Sequence, residues 1–319
     1  MAYSAGDTIL DDEYNAFVGN ATSPFGYNHF AGVGSGEYGL NQSTISTVSA
    51  GGTVQASQWN SLFTGMDNIA NHTNTSITAS SVSAGDTIAI RAALISDLAN
   101  LAAAVAGGST SATAIATPTA AGTTTNSGTW NSTSTIQRSI TWSNNATMRA
   151  FFNAGGYIRI DPSCVTGIDG LKDDVFNDLT TTAIGNLDLK AHSTARSGSG
   201  ESLTTNGLAN GFHDLGTGYT VLLKLTSDNT NYTSNTVEIS AKLNAAVDSA
   251  TVLTIKMVST DPADDTTYTS PNTSGVPANP NEAPRMTLAL LTANPNDTQG
   301  LAADITPSSN AEVSNSTTN

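Results

Sequence analysis

The sequence predicts a mainly β protein: an antiparallel, jelly-roll-like β-sandwich in the C-terminal part, preceded by a small α+β region. Three observations predict it. Short runs alternating Thr, Val, Ile or Leu with polar residues recur across residues 128–305, parted by Asn-, Gly-, Asp- and Ser-rich turns. Long helical spacing of apolar residues is concentrated in the first 107 residues. Charged residues are only 12% of the 319, about half the roughly 25% usual in soluble domains, and hydroxyl and amide side chains fill the difference.

The first part, 1–107, carries an internal repeat. Ser4-Ala5-Gly6-Asp7-Thr8-Ile9 returns as Ser49-Ala50-Gly51-Gly52-Thr53-Val54 and as Ser83-Ala84-Gly85-Asp86-Thr87-Ile88. Past the hexapeptide, Tyr14 aligns with Trp59, Asn15 with Asn60 and Phe17 with Leu62. Each copy predicts a glycine turn followed by a helix. Asp11 or Asp12 is the expected cap of the first and Ser57 of the second. The second helix has one apolar face, Trp59, Leu62, Phe63, Met66, Ile69 and Ala70. The third, Ala89 to Ala106, has a stripe of Ile90, Leu94, Leu98, Leu101 and Val105, and Gly107-Gly108 stops it. These stripes pack either within the region or against other copies of the chain. In the second case Trp59, Phe63, Leu94, Leu98 and Leu101 would form the oligomer seam. The Gly-rich stretch 19–39, with Tyr27, His29, Phe30 and Tyr38, is expected to be a loop lying on a surface or a partner.

Residues 108–127, nearly uncharged, are expected to form a linker or an extended crossing strand. The β part then follows in order. Ser132–Trp142 alternates along a strand. Met148–Phe152 is a helical turn. Tyr157–Ile160 is a strand halted by Asp161-Pro162. Leu171–Thr182 is a helix with Val175, Phe176 and Leu179 on one side. Strands are expected over 187–192, 201–205, 218–226, 235–243, 251–259 and 285–292, with 244–249 as a hairpin loop. Residues 306–319, rich in Ser, Asn and Thr, are expected to be a flexible tail.

Composition excludes several functions. A formal net charge of −15 opposes nucleic-acid binding, which needs Lys and Arg against phosphate. No stretch reaches the 18 or so apolar residues of a membrane span, and no secretory signal is expected at the N-terminus. One cysteine, Cys164, leaves no internal disulfide or Cys-based zinc site, and a buried thiol is the expectation there. The acidic groups Asp11-Asp12-Glu13, Asp169/Asp173/Asp174 and Asp261/Asp264/Asp265 lack the spacing of a calcium loop. His213-Asp214 is the one adjacent His–acid pair, and no nucleophile elbow accompanies it. No enzyme activity, metal or cofactor is therefore expected.

Several segments resemble virion structural proteins of tailed bacteriophages, cyanophage-like ones in particular. They are Ser4–Ile9 with Tyr14-Asn15, then Gly52–Asn60, Arg149–Ile160, Gly211–Leu215 and Thr236–Lys242, in the same order along most of the chain. The resemblance implies an oligomeric tail, fibre or virion-surface component, a trimer by preference. Such a protein assembles in the host cytoplasm with other virion proteins and is exposed on the released particle. It transfers no catalytic residues. The alternative is a carbohydrate-binding or capsid-decoration module. In that reading Tyr157, Tyr219, Tyr232 and Tyr268 are the candidate aromatic contacts to a host surface glycan.

Overall fold

The computed structural model describes residues 11–19, 26–83, 91–126, 130, 132–165, 171–230, 232–262, 284–296, 301 and 305–318. The chain divides into two compact units, and both are discontinuous in sequence. Unit 1 comprises residues 1–117, 144–156 and 294–306; unit 2 comprises 118–143, 157–293 and 307–319. These boundaries differ from the expected series of N-terminal region, linker and continuous 128–305 sandwich, because 144–156 and 294–306 leave the β part.

Unit 2 is the antiparallel β-sandwich. Among the described residues one sheet has the order β1-β10-β3-β4-β5, from Thr119–Thr125, Arg285–Ala293, Tyr157–Val165, Leu187–Leu189 and Thr194–Arg196. The other has the order β11-β2-β9-β8-β7-β6, from Ser309–Thr318, Thr133–Thr141, Val252–Thr260, Thr236–Leu243, Thr220–Thr226 and Ser202–Asn206. Strict alternation of burial along β2 puts Ser134, Ile136, Arg138 and Ile140 inward. Register places Ile136 beside Met257 and Ile239, and Ile140 beside Leu253 and Leu243, so these two inward rows are apolar across three strands. From the other sheet Ile158, Ile160, Leu187, Leu189, Leu288 and Leu290 are fully buried. Helix α6 (Leu171–Asn177) runs on into a π-helical turn, Asp178–Ile184, and buries Val175, Phe176 and Leu179 as expected.

Two strand expectations are corrected. Asp161-Pro162 does not halt β3, which pairs with β10 as far as Val165. On its other side, among the described residues, β3 pairs with β4 only over Ile158–Ile160, so one flank of Pro162 is outside any ladder. Of the two readings of 108–127, the extended strand holds over Thr119–Thr125: it is β1, paired with β10. The expected flexible tail contains β11, paired with β2 from Thr141 back to Thr133.

Arg138 joins β1 and β11. It is 6% exposed, and its guanidinium donates to Thr124 Oγ1 on β1 and to Asn310 Oδ1 on β11. Thr124 Oγ1 donates in turn to Glu312 at 2.9 Å. Gly122 makes room for this, since any Cβ there would collide with the guanidinium.

Unit 1 is built from helices. These are α1 (Asp11–Val18), α2 (Tyr27–Ala31), α3 (Ala56–Thr73), α4 (Arg91–Ala106) and α5 (Asn145–Asn153). Trp59 is the hub: its ring lies 5.1 Å from Tyr14, 6.0 Å from Phe17 and 5.8 Å from Phe63. Leu94, Leu98, Leu101 and Val105 close the same core with Leu62, Met66, Ile69 and Phe30. The proposed seam is thereby corrected. Trp59, Phe63, Leu94, Leu98 and Leu101 are each at most 8% exposed and covered by the chain's own α1–α4. The stretch 19–39 is corrected too: within its described residues Tyr27, His29 and Phe30 are buried on a short helix. Ser57 lies inside α3 rather than at its cap, and Gln58 accepts from the Gln55 N–H instead.

Extended segments between these helices gain hydrogen bonds from asparagine side chains rather than from strands. Asn15 Nδ2 donates to the Val48 carbonyl and Asn15 Oδ1 accepts from the Val48 N–H, at 2.8 and 2.7 Å. Asn60 holds Val82 in the same two-bonded way, at 2.9 and 2.8 Å. Asn15 and Asn60 are the aligned asparagines of the repeat, and Val48 and Val82 each precede the next Ser-Ala-Gly sequence. The repeat is therefore a rule of connection, in which each helix holds the segment leading to the next copy.

Arg138→Ala is expected to lower unit 2 stability by about 2 kcal/mol, because it leaves Thr124 and Asn310 without their charged donor and Glu312 without the nearby positive charge. Urea unfolding measures the loss, and amide exchange of residues 309–318 should lose protection first.

Candidate functional site

The outer face of the six-stranded sheet presents the groups best placed to meet a ligand. Tyr219 stands just before β7, and its hydroxyl donates to Gln137 Oε1 on β2 at 2.5 Å. Lys256 on β9 and Lys242 on β8 place their ammonium groups 4.0 and 4.7 Å from the ring centroid. Register explains the gathering: Gln137 pairs with Lys256, and Lys242 pairs with Thr254. Burial beneath these side chains pushes the Tyr219 hydroxyl pKa up. Farther along β7 and β8, Lys224 pairs with Glu238 at 3.5 Å. The result is a patch of ammonium, phenol, amide and hydroxyl groups, locally positive on a strongly acidic chain. Such a patch donates hydrogen bonds to oxygen-rich and anionic ligands.

Tyr157, on β3 of the other sheet, has a similar setting. Arg159 lies 5.8 Å and Lys190 5.9 Å from its ring centroid, and Arg159 makes a two-bonded pair with Asp188. Four of the eleven basic residues thus stand over the two half-buried tyrosines. This changes the expected contact: cations already occupy positions over both rings, so polar donors rather than open aromatic faces meet a ligand. Tyr232 is corrected outright. It is 4% exposed within the 229–235 turn, where its N–H donates to Asn229 and its carbonyl accepts from Asn235. Tyr268, Asp169, Asp264 and Asp265 lie outside the described residues.

Unit 1 has a separate polar cleft of about 720 Å³. Ser57, Ser61, Thr64 and Asn68 line it from one face of α3, opposite Gln42 and Thr44. Tyr27 closes one side by lying against Gly65, where a Cβ would strike its ring. The sequence marks α3 by its apolar face, and nothing in the spacing marks this opposite face as a wall.

Arg149, on α5, has a holding role. Its guanidinium donates to the carbonyls of Val33, Gly34 and Tyr38 at 2.6, 3.2 and 3.2 Å, and its Nε donates to Asn145. Asn153 adds a bond to the Gly39 carbonyl. The loop after α2 is folded around one buried cation.

The acid–base candidates are tied into the scaffold. Asp214 accepts from the Gly211 N–H at 2.8 Å, while His213 stacks on His192. Asp11 accepts from the Gly51 N–H. Cys164 is buried, and burial together with the nearby Asp173 charge pushes its thiol up to about 12. Among the described residues no group of three His, Cys, Asp or Glu is arranged to hold a metal ion. One titrating group escaped sequence reading. Glu201, in a left-handed backbone conformation, is pushed up to about 7 by burial and by sharing a hydrogen bond with Asp178, against the opposing pull of the Asp228 N–H, which donates to it at 2.6 Å. Residues so far apart in sequence carry no spacing signal. No protein-family model, curated protein or solved structure matches the chain.

Two expectations follow. The native protein should resist alkylation at Cys164 and react once unfolded, which mass measurement after reagent treatment reads directly. Glu201 binds its proton more tightly when folded, so its contribution is complete below about 4.5 and is lost as pH rises through about 7. Glu201→Gln should flatten the fall in the denaturation midpoint across that window.

Proposed function

We propose that the chain is a non-enzymatic structural protein of a tailed-phage virion, an oligomeric tail or fibre component that serves assembly and host attachment. The observation that carries this reading is where the phage-like segments fall. Asn15 and Asn60 hold the helix connections, Arg149 holds the loop after α2, and Thr236–Lys242 is a central strand. In each of these segments the side chains hold scaffold, which is the use a structural component would make of them. Partners in this reading are further copies of the chain, a trimer by preference, and other virion proteins. The protein assembles in the host cytoplasm and is exposed on the released particle. Nucleic acid and membrane insertion have no part in it; among the described residues no helix is long and apolar enough to cross a membrane.

The seam between copies must use surface outside the closed α1–α4 core. Val33, Leu203 and Val313 are the large apolar side chains exposed among the described residues, and Leu203 lies on β6, an edge strand exposed throughout. Light scattering should give a multiple of the 32.5 kDa chain mass. A single-chain mass at every concentration would refute the oligomer. Gold-labelled antibody should mark the tail or fibre of released particles; a label on the head, or none, would refute that location.

A second reading, a glycan-binding or decoration module, is favoured by the Tyr219 patch. The full chain should then retain acidic glycans on an array, and Lys242→Glu with Lys256→Glu should abolish the signal while leaving the fold intact. An array without hits for the unmodified chain rejects this reading.

A further inference from the structure

We propose that Lys172 and Asp261 condense into an intramolecular amide, a covalent cross-link between α6 and the residue that follows β9. Lys172 Nζ lies 2.5 Å from Asp261 Oδ2, and both side chains are completely buried. Aromatic side chains wall the site. The Lys172 ammonium stands 5.2 Å from the Trp130 ring centroid and reaches the Trp130 carbonyl at 3.3 Å. Trp130 is 1% exposed and packs edge-on against Phe176 at 5.0 Å. Both reacting groups are anchored: Lys172 in the first turn of α6, and Asp261 by its N–H, which donates to the Ser132 carbonyl at 2.8 Å.

The reaction follows from what burial removes. In water an amine and an acid remain apart because both ionise and both ions are solvated. Inside an apolar wall that solvation is gone, and an ion pair repays it only in part. Passing one proton from the ammonium to the carboxylate leaves a neutral amine facing a neutral acid. The Nζ lone pair then attacks Cγ of Asp261 and forms a C–N bond. Nζ gives up its second proton to the departing hydroxyl, one C–O bond breaks, and water leaves. An ammonium and a carboxylate have become an amide and one water, with no oxidant or co-reactant. Fixed contact between the groups supplies the high effective concentration that a condensation needs. The product closes the chain from 172 to 261 covalently, which restricts the unfolded state.

Intact-mass measurement of the denatured full chain decides the matter. The expected mass is one water below that of the sequence, and a protease digest should yield a branched peptide joining the Lys172 and Asp261 segments. Asp261→Asn should form the same link and lose ammonia in place of water. Lys172→Met and Asp261→Ala should both keep the full mass. The wild-type result stands whether or not those variants fold. A folded wild-type chain with full sequence mass and no branched peptide after long incubation at neutral pH overturns the proposal, leaving an ion pair only. A water loss that survives in Lys172→Met also overturns it, since the dehydration then lies elsewhere.

Discussion

Every buried peptide group must find a hydrogen-bond partner, and much of this chain runs outside helices and strands. That constraint organises the molecule. In unit 1 the segments around Val48 and Val82 lie against helices and, among the described residues, pair with no strand, so Asn15 and Asn60 supply both a donor and an acceptor to each. An asparagine amide has the same two groups as a peptide, which makes it a one-residue substitute for a strand neighbour. Asn28 does the same for Ile45. Asp97 has only acceptors, so it takes donors alone: the N–H groups of Thr78 and Ala79 and the Thr78 hydroxyl. Where several carbonyls converge, a guanidinium is needed, and Arg149 provides it.

This division explains what the sequence revealed and what it concealed. Strands β2, β7, β8, β9 and β10 were legible because one face of each enters an apolar core and the alternation survives in the residue order. Strand β1 was readable only as one of two options, linker or crossing strand, and β11 not at all: Thr-Ala-Ala-Gly-Thr-Thr-Thr and Ser-Asn-Ala-Glu-Val-Ser-Asn-Ser-Thr-Thr have no apolar period. Their pairing is dictated by neighbours far away in sequence and by Arg138 between them. The helical stripes were legible as stripes, but their destination was not. Periodicity tells that a face is buried, never against which chain, and here Tyr14, Phe17 and Phe30 cover it. The same limit applied to the tyrosines. Sequence located them in the β part, yet which were half-exposed, and that lysines stood over Tyr219, depended on cross-strand register.

Scarcity of charge sharpens the functional argument. With eleven basic residues in 319, each one buried represents a commitment. Arg138, Arg149 and Lys172 are buried and hold structure. Lys242 and Lys256 are spent differently: they stand side by side on an outer sheet face with no carboxylate between them in the register, where Lys256 has Gln137 and Ser240 as neighbours and Lys242 has Thr254. Two like charges set close together on one face repel each other in the free protein, which costs a little stability. In the glycan-binding reading an anionic ligand would relieve that repulsion. The acidity of the rest of the chain makes the patch a local exception.

Discontinuity of the units bears on how the sandwich can be isolated. A fragment cut at 128 and 305 begins after β1 and ends before β11. The five-stranded sheet would then lose the strand covering β10, and the six-stranded sheet the strand covering β2, leaving two long edges bare. Arg138 would lose Thr124, Asn310 and Glu312 together, and a buried guanidinium deprived of its acceptors opposes folding. The same fragment would carry 144–156, whose Arg149, Ala150 and Ala154 complete a helical core built mainly from residues before 107. The smallest piece that keeps the sandwich's own contacts therefore starts at 118 and runs to the C-terminal strand, with 144–156 and 294–306 replaced by short polar connections. Sequence distance, which suggested a modular chain, is here a poor guide to which residues depend on one another.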